Sequence, residues 1–462
     1  MADFVPHTDA EVAAMLATIG LSSLDELFAV IPEALRLAGG LDVAPGLSEA
    51  DVLDRAALVA AANGAAGRDL VCFAGGGAYD HDVPAVVRRV AFRSEFVTAY
   101  TPYQPEVAQG VLQALFEYQT VVCRLFGMEV ANASLYDGAS ACVEAANLAV
   151  AATGRSTVWV SRGVHPHWRQ VLATFAGGTG HDLVDVPLVD GTTAWPDDVP
   201  TDAPDPRSEG RSGPPGALLV QYPNHLGCIE DLAAAAEVAR RTGALLLVAC
   251  DPVSVGLLRS PGDHGADVVV GEGQPFGTPL SFGGPYLGMF ACTRDLVRRL
   301  PGRLVGETVD VDGRRAYVTT LRTREQDIRR EKASSNVCTN QTLIAVAAIV
   351  HLGWLGTAGL REMALRCARG TRYARQAVLG IDGIEPLAGA PVLREFAVRL
   401  PVAADVAVER MADEGFLAGI ALGPEYTGDG PADGLLIAVT ERRTRAEIDA
   451  YATALEKVVS LS

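Results

Sequence analysis

The feature that most constrains the fold is a series of short, uninterrupted apolar runs that alternate with helical segments. The runs are VWVSR (158–162), ALLVQYPN (217–224), ALLLVACD (244–251) and ADVVVG (266–271), and each ends at polar or glycine residues. A helical pattern, AAAAEVARRTG (233–243), lies between two of them. Strands that are apolar on both sides belong in a parallel sheet covered by helices on both faces. The sequence therefore predicts an α/β layered domain, in which functional residues lie at the carboxyl ends of the strands.

At 462 residues the chain is too long for one ordinary domain, and its pattern changes along its length. Residues 1–65 are predicted to form a helical arm with little core of its own, which must pack on another body. Residues 66–330 are the predicted large α/β domain, with a mixed or parallel sheet. Residues 331–462 are predicted to be a smaller α+β domain. This part begins with long helices and continues with alternating strands and helices.

Two local features refine this division. Thr8 and Asp9 stand where a cap is needed for a helix through EVAAMLATIG. The segment 197–215 is rich in Pro, Gly, Ser and Asp, and the α/β pattern resumes after it. It is therefore predicted to be a surface loop insertion and not a domain linker.

Charge and composition exclude several classes of function. The net charge of −18 argues against binding to nucleic acid or to an anionic membrane surface. The acidic start MADFVPHTDAEV lacks a basic-then-apolar signal, and the apolar stretch 343–350 is too short to span a bilayer. The eight cysteines are scattered without a CxxC pair, which is typical of a reducing compartment. A soluble cytoplasmic protein is expected.

Three polar residues at element ends are candidates for a ligand site. Asp251 ends an apolar strand, where its carboxylate can pair with a protonated ring nitrogen of a cofactor, although a cap or turn is the commoner role. Ser140 lies in a Gly-Ala-Ser helix start whose free N–H groups suit a phosphate. An ordinary helix start capped by Asp137 or Ser140 is an equal alternative. His165 follows a strand and can stack on a flat heteroaromatic ring.

Two further patterns are set aside. His165 and His167 invite a metal site, but no third ligand stands at a useful spacing, and His167 is expected on the surface. The glycine-rich loop 271–277 superficially resembles a dinucleotide-binding fingerprint. Its spacing is GxGxxxG, however, and Pro275 and Pro279 stand where a phosphate-binding helix would have to begin.

The segment TAYTPYQPE (98–106) is stiffened by two prolines and carries four polar side chains, Tyr100, Tyr103, Gln104 and Glu106. Phenols on a rigid backbone are good preorganised contacts for a polar ligand. The alternative is a packed loop with no ligand.

The chain has only two lysines, Lys332 and Lys457, against 36 arginines. Neither follows the strand-end segment 266–288, where a cofactor-bearing lysine would stand. A Schiff base to an aldehyde cofactor needs a primary amine, and arginine cannot replace it because its guanidinium stays protonated. Compositional bias explains the rarity of lysine, but the missing amine still excludes this covalent chemistry at the strand end.

With these features in view, the chain resembles the fold-type I pyridoxal-phosphate enzymes. In particular it resembles the P-protein family of the glycine cleavage system. Within that family it resembles subunit 1, the α subunit of the two-subunit form. The resembling strings run nearly end to end and are 4–28, 75–87, 98–120 (TAYTPYQPEVAQGVLQALFEYQT), 134–146 (SLYDGASACVEAA), 221–232, 271–292 (GEGQPFGTPLSFGGPYLGMFAC), 320–341 (TLRTREQDIRREKASSNVCTNQ) and 439–449.

The resemblance implies a division of labour between two subunits. The β subunit would carry the pyridoxal-phosphate lysine, and this chain would have the same fold without it. The two subunits would assemble as an α2β2 tetramer. The complex would decarboxylate glycine and pass the aminomethyl group to the lipoyl arm of the H-protein, as a glycine dehydrogenase (aminomethyl-transferring).

The resemblance also implies roles for the candidate residues. In fold-type I dimers each site lies at the subunit interface, so Tyr100, Tyr103, Gln104 and Glu106 are expected to reach the cofactor of the β subunit. There they would orient groups, form hydrogen bonds and exchange protons. The residues of this chain's own degenerate pocket would be vestiges or structural, and they are Ser140, His165, Asp251 and Gln274.

Two alternatives stay open on the sequence. The first is a purely structural or regulatory partner that has no residue near an active site. The second is a self-sufficient transaminase-like or desulfurase-like enzyme that uses Lys332, but this lysine lies in the Arg-rich segment IRREKASSN and does not follow a strand.

Overall fold

The computed structural model describes residues 6–37, 41–97, 100–196, 213–281 and 283–460. The chain divides into two compact units, Met1–Asn63 and Gly64–Ser462. Most of the predicted loop insertion, residues 197–212, lies outside the described residues. The further boundary expected near residue 330 stays a prediction.

The N-terminal unit is helical, with helices Asp9–Thr18, Leu24–Leu27 and Glu49–Ala61. Thr8 caps the first helix as predicted: its backbone N–H donates to Glu11 at 2.7 Å, and its side chain accepts from the Glu11 N–H at 3.4 Å. This unit exposes many large apolar side chains, for example Val30 at 89% and Leu58 at 75%. Such exposure is what an arm that lacks a core of its own should show.

The large unit is built on a mixed sheet, in which the described residues contribute seven strands. In spatial order these are Val130–Ala131, Gly288–Cys292, Val268–Glu272, Leu245–Cys250, Ala217–Tyr222, Thr157–Ser161 and Asp182–Val186. The last five are mutually parallel, and Gly288–Cys292 pairs antiparallel to its two neighbours. The four predicted apolar strands are confirmed, and they form the centre of this sheet.

Both faces of the sheet are buried, which explains why its strands are apolar without alternation. Along Leu245–Cys250, Leu246 and Val248 pack into one hydrophobic cluster, whereas Leu247 and Ala249 pack into the other. Helices that cover the two faces are Pro105–Phe126, Leu232–Thr242 and Thr342–Val378 on the first and Gly138–Thr153 and Pro166–Thr179 on the second.

The C-terminal part carries its own antiparallel sheet, which in the described chain has the order Glu385–Pro386, Glu395–Arg399, Gly434–Ala438 and Ile420–Ala421. Helices Ala404–Asp413 and Arg445–Ser460 pack on it. This agrees with the α+β pattern expected there. The remaining helices of the large unit are Ala85–Ala91, Ser94–Val97, Gln326–Arg329 and Pro424–Thr427, and a hairpin joins Leu304–Val309 to Arg315–Thr320.

Among the described helices, Thr342–Val378 is the one with the length and apolarity that crossing a membrane would require. The core helix of a soluble protein meets the same criterion. Gly356, at a φ of +59°, interrupts this helix, and Ala345 and Leu352 before it belong to the core under the main sheet. The part of the helix before Gly356 therefore contributes to the core of the large unit.

Candidate functional site

Asp251 lies at the carboxyl end of the strand Leu245–Cys250, as predicted, but its carboxylate is already paired. Its Oδ2 lies 2.9 Å from Nη2 of Arg394, a residue only 4% exposed. The Arg394 guanidinium stacks over the Tyr79 ring at 3.5 Å, and its Nη1 lies 2.6 Å from Nε2 of His81. The position expected to receive a cofactor ring nitrogen is thus taken by a buried arginine.

The same network continues to Glu441 and Cys367. Because Arg394 donates to Nε2 of His81, the ring proton is on Nδ1, which donates to Glu441 at 2.6 Å. Burial acts to raise the pKa of Glu441, but the hydrogen bonds donated by His81 and by the Asp82 N–H outweigh it, and the pKa lies at about 2. His81, Cys367 and Glu441 hold potential metal-ligand atoms within 4.8 Å of one another. Both His81 nitrogens are already committed, so hydrogen bonding accounts for this group.

His165 is buried, and its ring stacks on a side chain of this protein; the sequence predicted that it could stack on the ring of a ligand. Its ring lies 5.8 Å from that of Trp168 at an interplanar angle of 23°. Its Nε2 donates to the Gly76 carbonyl at 2.6 Å, and its Nδ1 accepts from the His167 N–H at 3.1 Å. Burial lowers the pKa of His165 to about 4, so it is neutral near pH 7. His167 is exposed, as predicted.

The start of helix Gly138–Thr153 is capped by the protein itself. Asp137 is the cap, and its side chain accepts from the backbone N–H of Ser140 at 2.7 Å, which agrees with the alternative of an ordinary helix start. The N–H of Gly138 donates to the Glu272 Oε2 at 2.9 Å. Two of the N–H groups that a phosphate would use are therefore occupied.

Glu272, the last residue of strand Val268–Glu272, was not anticipated from the sequence. Its Oε1 accepts from the N–H groups of Gln274 at 3.0 Å and Leu287 at 2.9 Å, and its Oε2 accepts from Gly138. Burial raises the pKa of Glu272 to about 8, although these three bonds act to lower it. The carboxyl group can accept all three bonds in either protonation state.

Gln274 is fully buried, and its side chain is structural. Its amide accepts from the Tyr79 N–H at 3.0 Å and donates to the Tyr79 carbonyl at 3.0 Å and the Thr278 carbonyl at 2.8 Å. These bonds tie the residue 79 segment to the strand end. No helix begins in the described residues of this loop, which agrees with the rejection of a dinucleotide fingerprint.

Neither lysine is close to this site. Lys332 is exposed in the 3-10 turn Arg330–Lys332, and Lys457 pairs with Glu414 at 2.5 Å in the last helix. Neither lines the cavity at the strand ends.

The pocket at these strand ends does not fit a pyridoxal phosphate of its own; the resemblance implies that the β subunit holds that cofactor. The pocket has a volume of about 30 Å³, close to the volume that one water molecule takes up in the liquid. The residues lining it include Tyr79, His165, Trp168, Asp251, Glu272 and Arg394. A cofactor-sized ligand needs several hundred Å³.

The second candidate set lies on the surface. Tyr100 is 77% and Tyr103 48% exposed, and Gln104 and Glu106 are exposed as well. The segment is not wholly a loop, since helix Pro105–Phe126 begins within it and places Glu106 in its first turn. Proline suits this position because its missing N–H is not needed there.

The Tyr103 side chain is fixed by hydrogen bonding to Arg303, a residue only 3% exposed. Arg303 donates to the Tyr103 hydroxyl at 2.8 Å, to the Cys338 carbonyl at 3.0 Å and to the Thr339 hydroxyl at 2.7 Å. The guanidinium carbon of Arg322 lies 5.2 Å from the centre of the Tyr103 ring. No signal singled out Arg303 in a chain with 36 arginines.

Comparison with known proteins shows which family this chain resembles. The family model described as glycine cleavage system P-protein matches residues 2–455. The chain is 48% identical over 451 residues to a probable glycine dehydrogenase (decarboxylating) subunit 1 of Prosthecochloris aestuarii, covering 97% of this chain and 98% of the relative. It is 45% identical over 455 residues to the protein of the same name from Desulforamulus reducens, covering 98% and 99%.

Solved structures give the same relationship. A crystal structure of glycine decarboxylase (P-protein) of the glycine cleavage system, in inhibitor-bound form, matches with a TM-score of 0.90 and 43% identity over 99% of this chain and 100% of that one. The fold alone is shared with a Burkholderia pseudomallei sphingosine-1-phosphate lyase, at 16% identity, a TM-score of 0.63 and coverage of 93% and 94%. The predicted fold-type I architecture is confirmed.

Proposed function

The chain belongs to the glycine cleavage system P-protein family, and we propose that it is the lysine-free α subunit of a two-subunit glycine decarboxylase. The observation that carries this proposal is an enzyme fold matched end to end, combined with a strand-end pocket that neither lysine reaches. A second subunit must then supply the amine.

In this proposal the β subunit holds pyridoxal phosphate, which supplies the electron-accepting ring for decarboxylation. The complex decarboxylates glycine and transfers the aminomethyl group to the lipoyl group of the H-protein. An α2β2 assembly in the cytoplasm accommodates both subunits. The relatives named above are bacterial, and each is a "subunit 1", which supports a second subunit.

This chain's own contribution is the exposed segment from Tyr100 to Glu106. Its side chains are available to a partner, and buried Arg303 holds the Tyr103 hydroxyl in one orientation. The Tyr103 hydroxyl accepts from Arg303, which has no acceptor of its own, so the hydroxyl proton is not used in this bond. Tyr103 can therefore donate a hydrogen bond to a group of the partner's site, and Glu106 can accept one.

The test of the proposal is the chain expressed alone. We expect no glycine decarboxylation and no yellow chromophore that borohydride traps, because no amine stands at the strand end. Activity should appear on addition of the β subunit. Stoichiometric pyridoxal phosphate reduced onto Lys332 or Lys457 would contradict the proposal and restore the self-sufficient enzyme.

A second expectation concerns the N-terminal unit, whose exposed apolar side chains include Phe28 at 54% and Leu53 at 62%. Large obligate interfaces are apolar, and a partner that binds only the folded state raises stability. We therefore expect the isolated chain to aggregate and to melt at a lower temperature than its complex with β. Size exclusion and thermal melts with and without β test this, and a clean monomer with an unchanged melt would refute it.

A further inference from the structure

We infer that this chain closes its cofactor-type pocket with its own side chains, the Glu272 carboxyl group at the phosphate end and the Arg394 guanidinium at the ring end. The phosphate end is the start of helix Gly138–Thr153, and the ring end is the Asp251 carboxylate with the face of His165. The inference concerns the pocket itself and holds whatever reaction the complex performs.

At the phosphate end, Glu272 does what a bound phosphate does at a helix start. Three backbone N–H groups, from Gly138, Gln274 and Leu287, converge on its two oxygens at 2.9–3.0 Å. One of the three, Gly138, is the first residue of a 16-residue helix, and the other two belong to the loop beside it. Convergent backbone N–H groups of this kind suit an anion. Here the acceptor comes from the same chain, so the site is satisfied without a ligand.

At the ring end, a cation replaces the protonated nitrogen of a cofactor ring. Asp251 needs a positive partner in a buried place, and the Arg394 guanidinium supplies it at 2.9 Å. The planar guanidinium also stacks on the Tyr79 ring at 3.5 Å, which gives it a fixed position. Arg394 directly precedes the strand Glu395–Arg399 of the C-terminal sheet, so the ion pair joins the two sheets.

The space between the two ends is closed by contact. A Cβ added to Gly138 would lie 2.3 Å from the Trp168 indole, so the indole rests directly on the helix start. A Cβ added to Gly77 would lie 3.1 Å from the His165 ring, so backbone covers the histidine at that point. These contacts explain why the remaining cavity holds about one water molecule. Restoring a lysine alone should therefore not restore cofactor binding.

The experiment removes one replacement group and asks whether an anion takes its place. The Glu272→Ala variant of the full chain is melted in inorganic phosphate and in sodium chloride of equal ionic strength. We expect phosphate to raise its melting temperature by about 2 °C or more at tenfold the dissociation constant, as binding to the folded state requires. The wild-type chain should show no such rise, and equilibrium dialysis should find no phosphate on it.

Glu230→Ala is the matched control. Glu230 is also buried, and it accepts from the Thr193 N–H at 2.9 Å and from Asn224 at 2.8 Å, but it does not cap the helix start at Gly138. It should lose stability without responding to phosphate. A Glu272→Ala chain that folds only in phosphate supports the inference. Wild-type binding of phosphate in the pocket, a folded variant without a phosphate response, or a variant that phosphate cannot fold would each overturn it.

Discussion

Replacing Tyr103 with phenylalanine is expected to lower the rate of glycine–bicarbonate exchange by the reconstituted complex about 30- to 1000-fold. This range corresponds to a loss of roughly 2–4 kcal/mol from one oriented polar contact in a water-poor site, at about 1.4 kcal/mol per tenfold. Glu106→Gln should have a similar effect. Assembly and the cofactor content of the β subunit should be unchanged, because the ring of Tyr103 and the backbone set by its neighbouring prolines are kept.

The chain provides a matched control for Tyr103→Phe. The Tyr373 hydroxyl also accepts from an arginine, Nε of Arg445 at 3.0 Å, and that guanidinium also lies over the tyrosine ring, at 4.9 Å. Tyr373→Phe removes the same atom from the same kind of contact and should leave exchange near the wild-type rate. Wild-type exchange in both Tyr103→Phe and Glu106→Gln would remove the segment from the site and favour a purely structural subunit.

Replacing Arg394 with methionine is expected to lower the free energy of unfolding by about 3–5 kcal/mol. Removing one partner of a buried ion pair leaves the other charge uncompensated, here on Asp251. His81 also loses its guanidinium donor, and Tyr79 loses the cation over its ring. Urea denaturation of the complex, monitored by tryptophan fluorescence, measures the change. The double variant Arg394→Met with Asp251→Asn should recover part of the loss, since the unpaired charge is gone.

Arg399→Met is the control for this measurement. Arg399 is the last residue of the strand that Arg394 directly precedes, and its pair with Asp433 at 3.0 Å is exposed, with side chains 47% and 36% accessible. Exposed pairs contribute about 0–1 kcal/mol. If Arg394→Met costs no more than Arg399→Met, the buried pair does not hold the pocket closed.

Much of the fold could be predicted because its signals are local. A central strand of a parallel sheet must be apolar on both sides, so a strand such as 244–251 can be recognised in the sequence as a continuous apolar run. Thr8 could be assigned as a cap because its partner, Glu11, is three residues away. The short strand Val130–Ala131 and the hairpin from Leu304 to Thr320 carried no comparably strong pattern, since packing against neighbours decides such elements.

The sequence by itself determined one chemical fact that no packing can change, namely that neither lysine follows the strand end at Glu272. Tertiary structure decided what stands there instead. Glu272 meets Gly138 across 134 residues, Arg303 meets Tyr103 across 200, and Arg394 meets His81 across 313. No sequence pattern shows which charged residues will pair when they are far apart in the chain. Their pairing matters for stability because a buried charge without a partner costs several kcal/mol, about 3–5 kcal/mol when one partner of a buried pair is removed. Asp251 and His165 could therefore be located from the sequence, but their distant partners Arg394 and Gly76 could be found only in the folded chain. Ser140 differs, because its partner Asp137 is only three residues away.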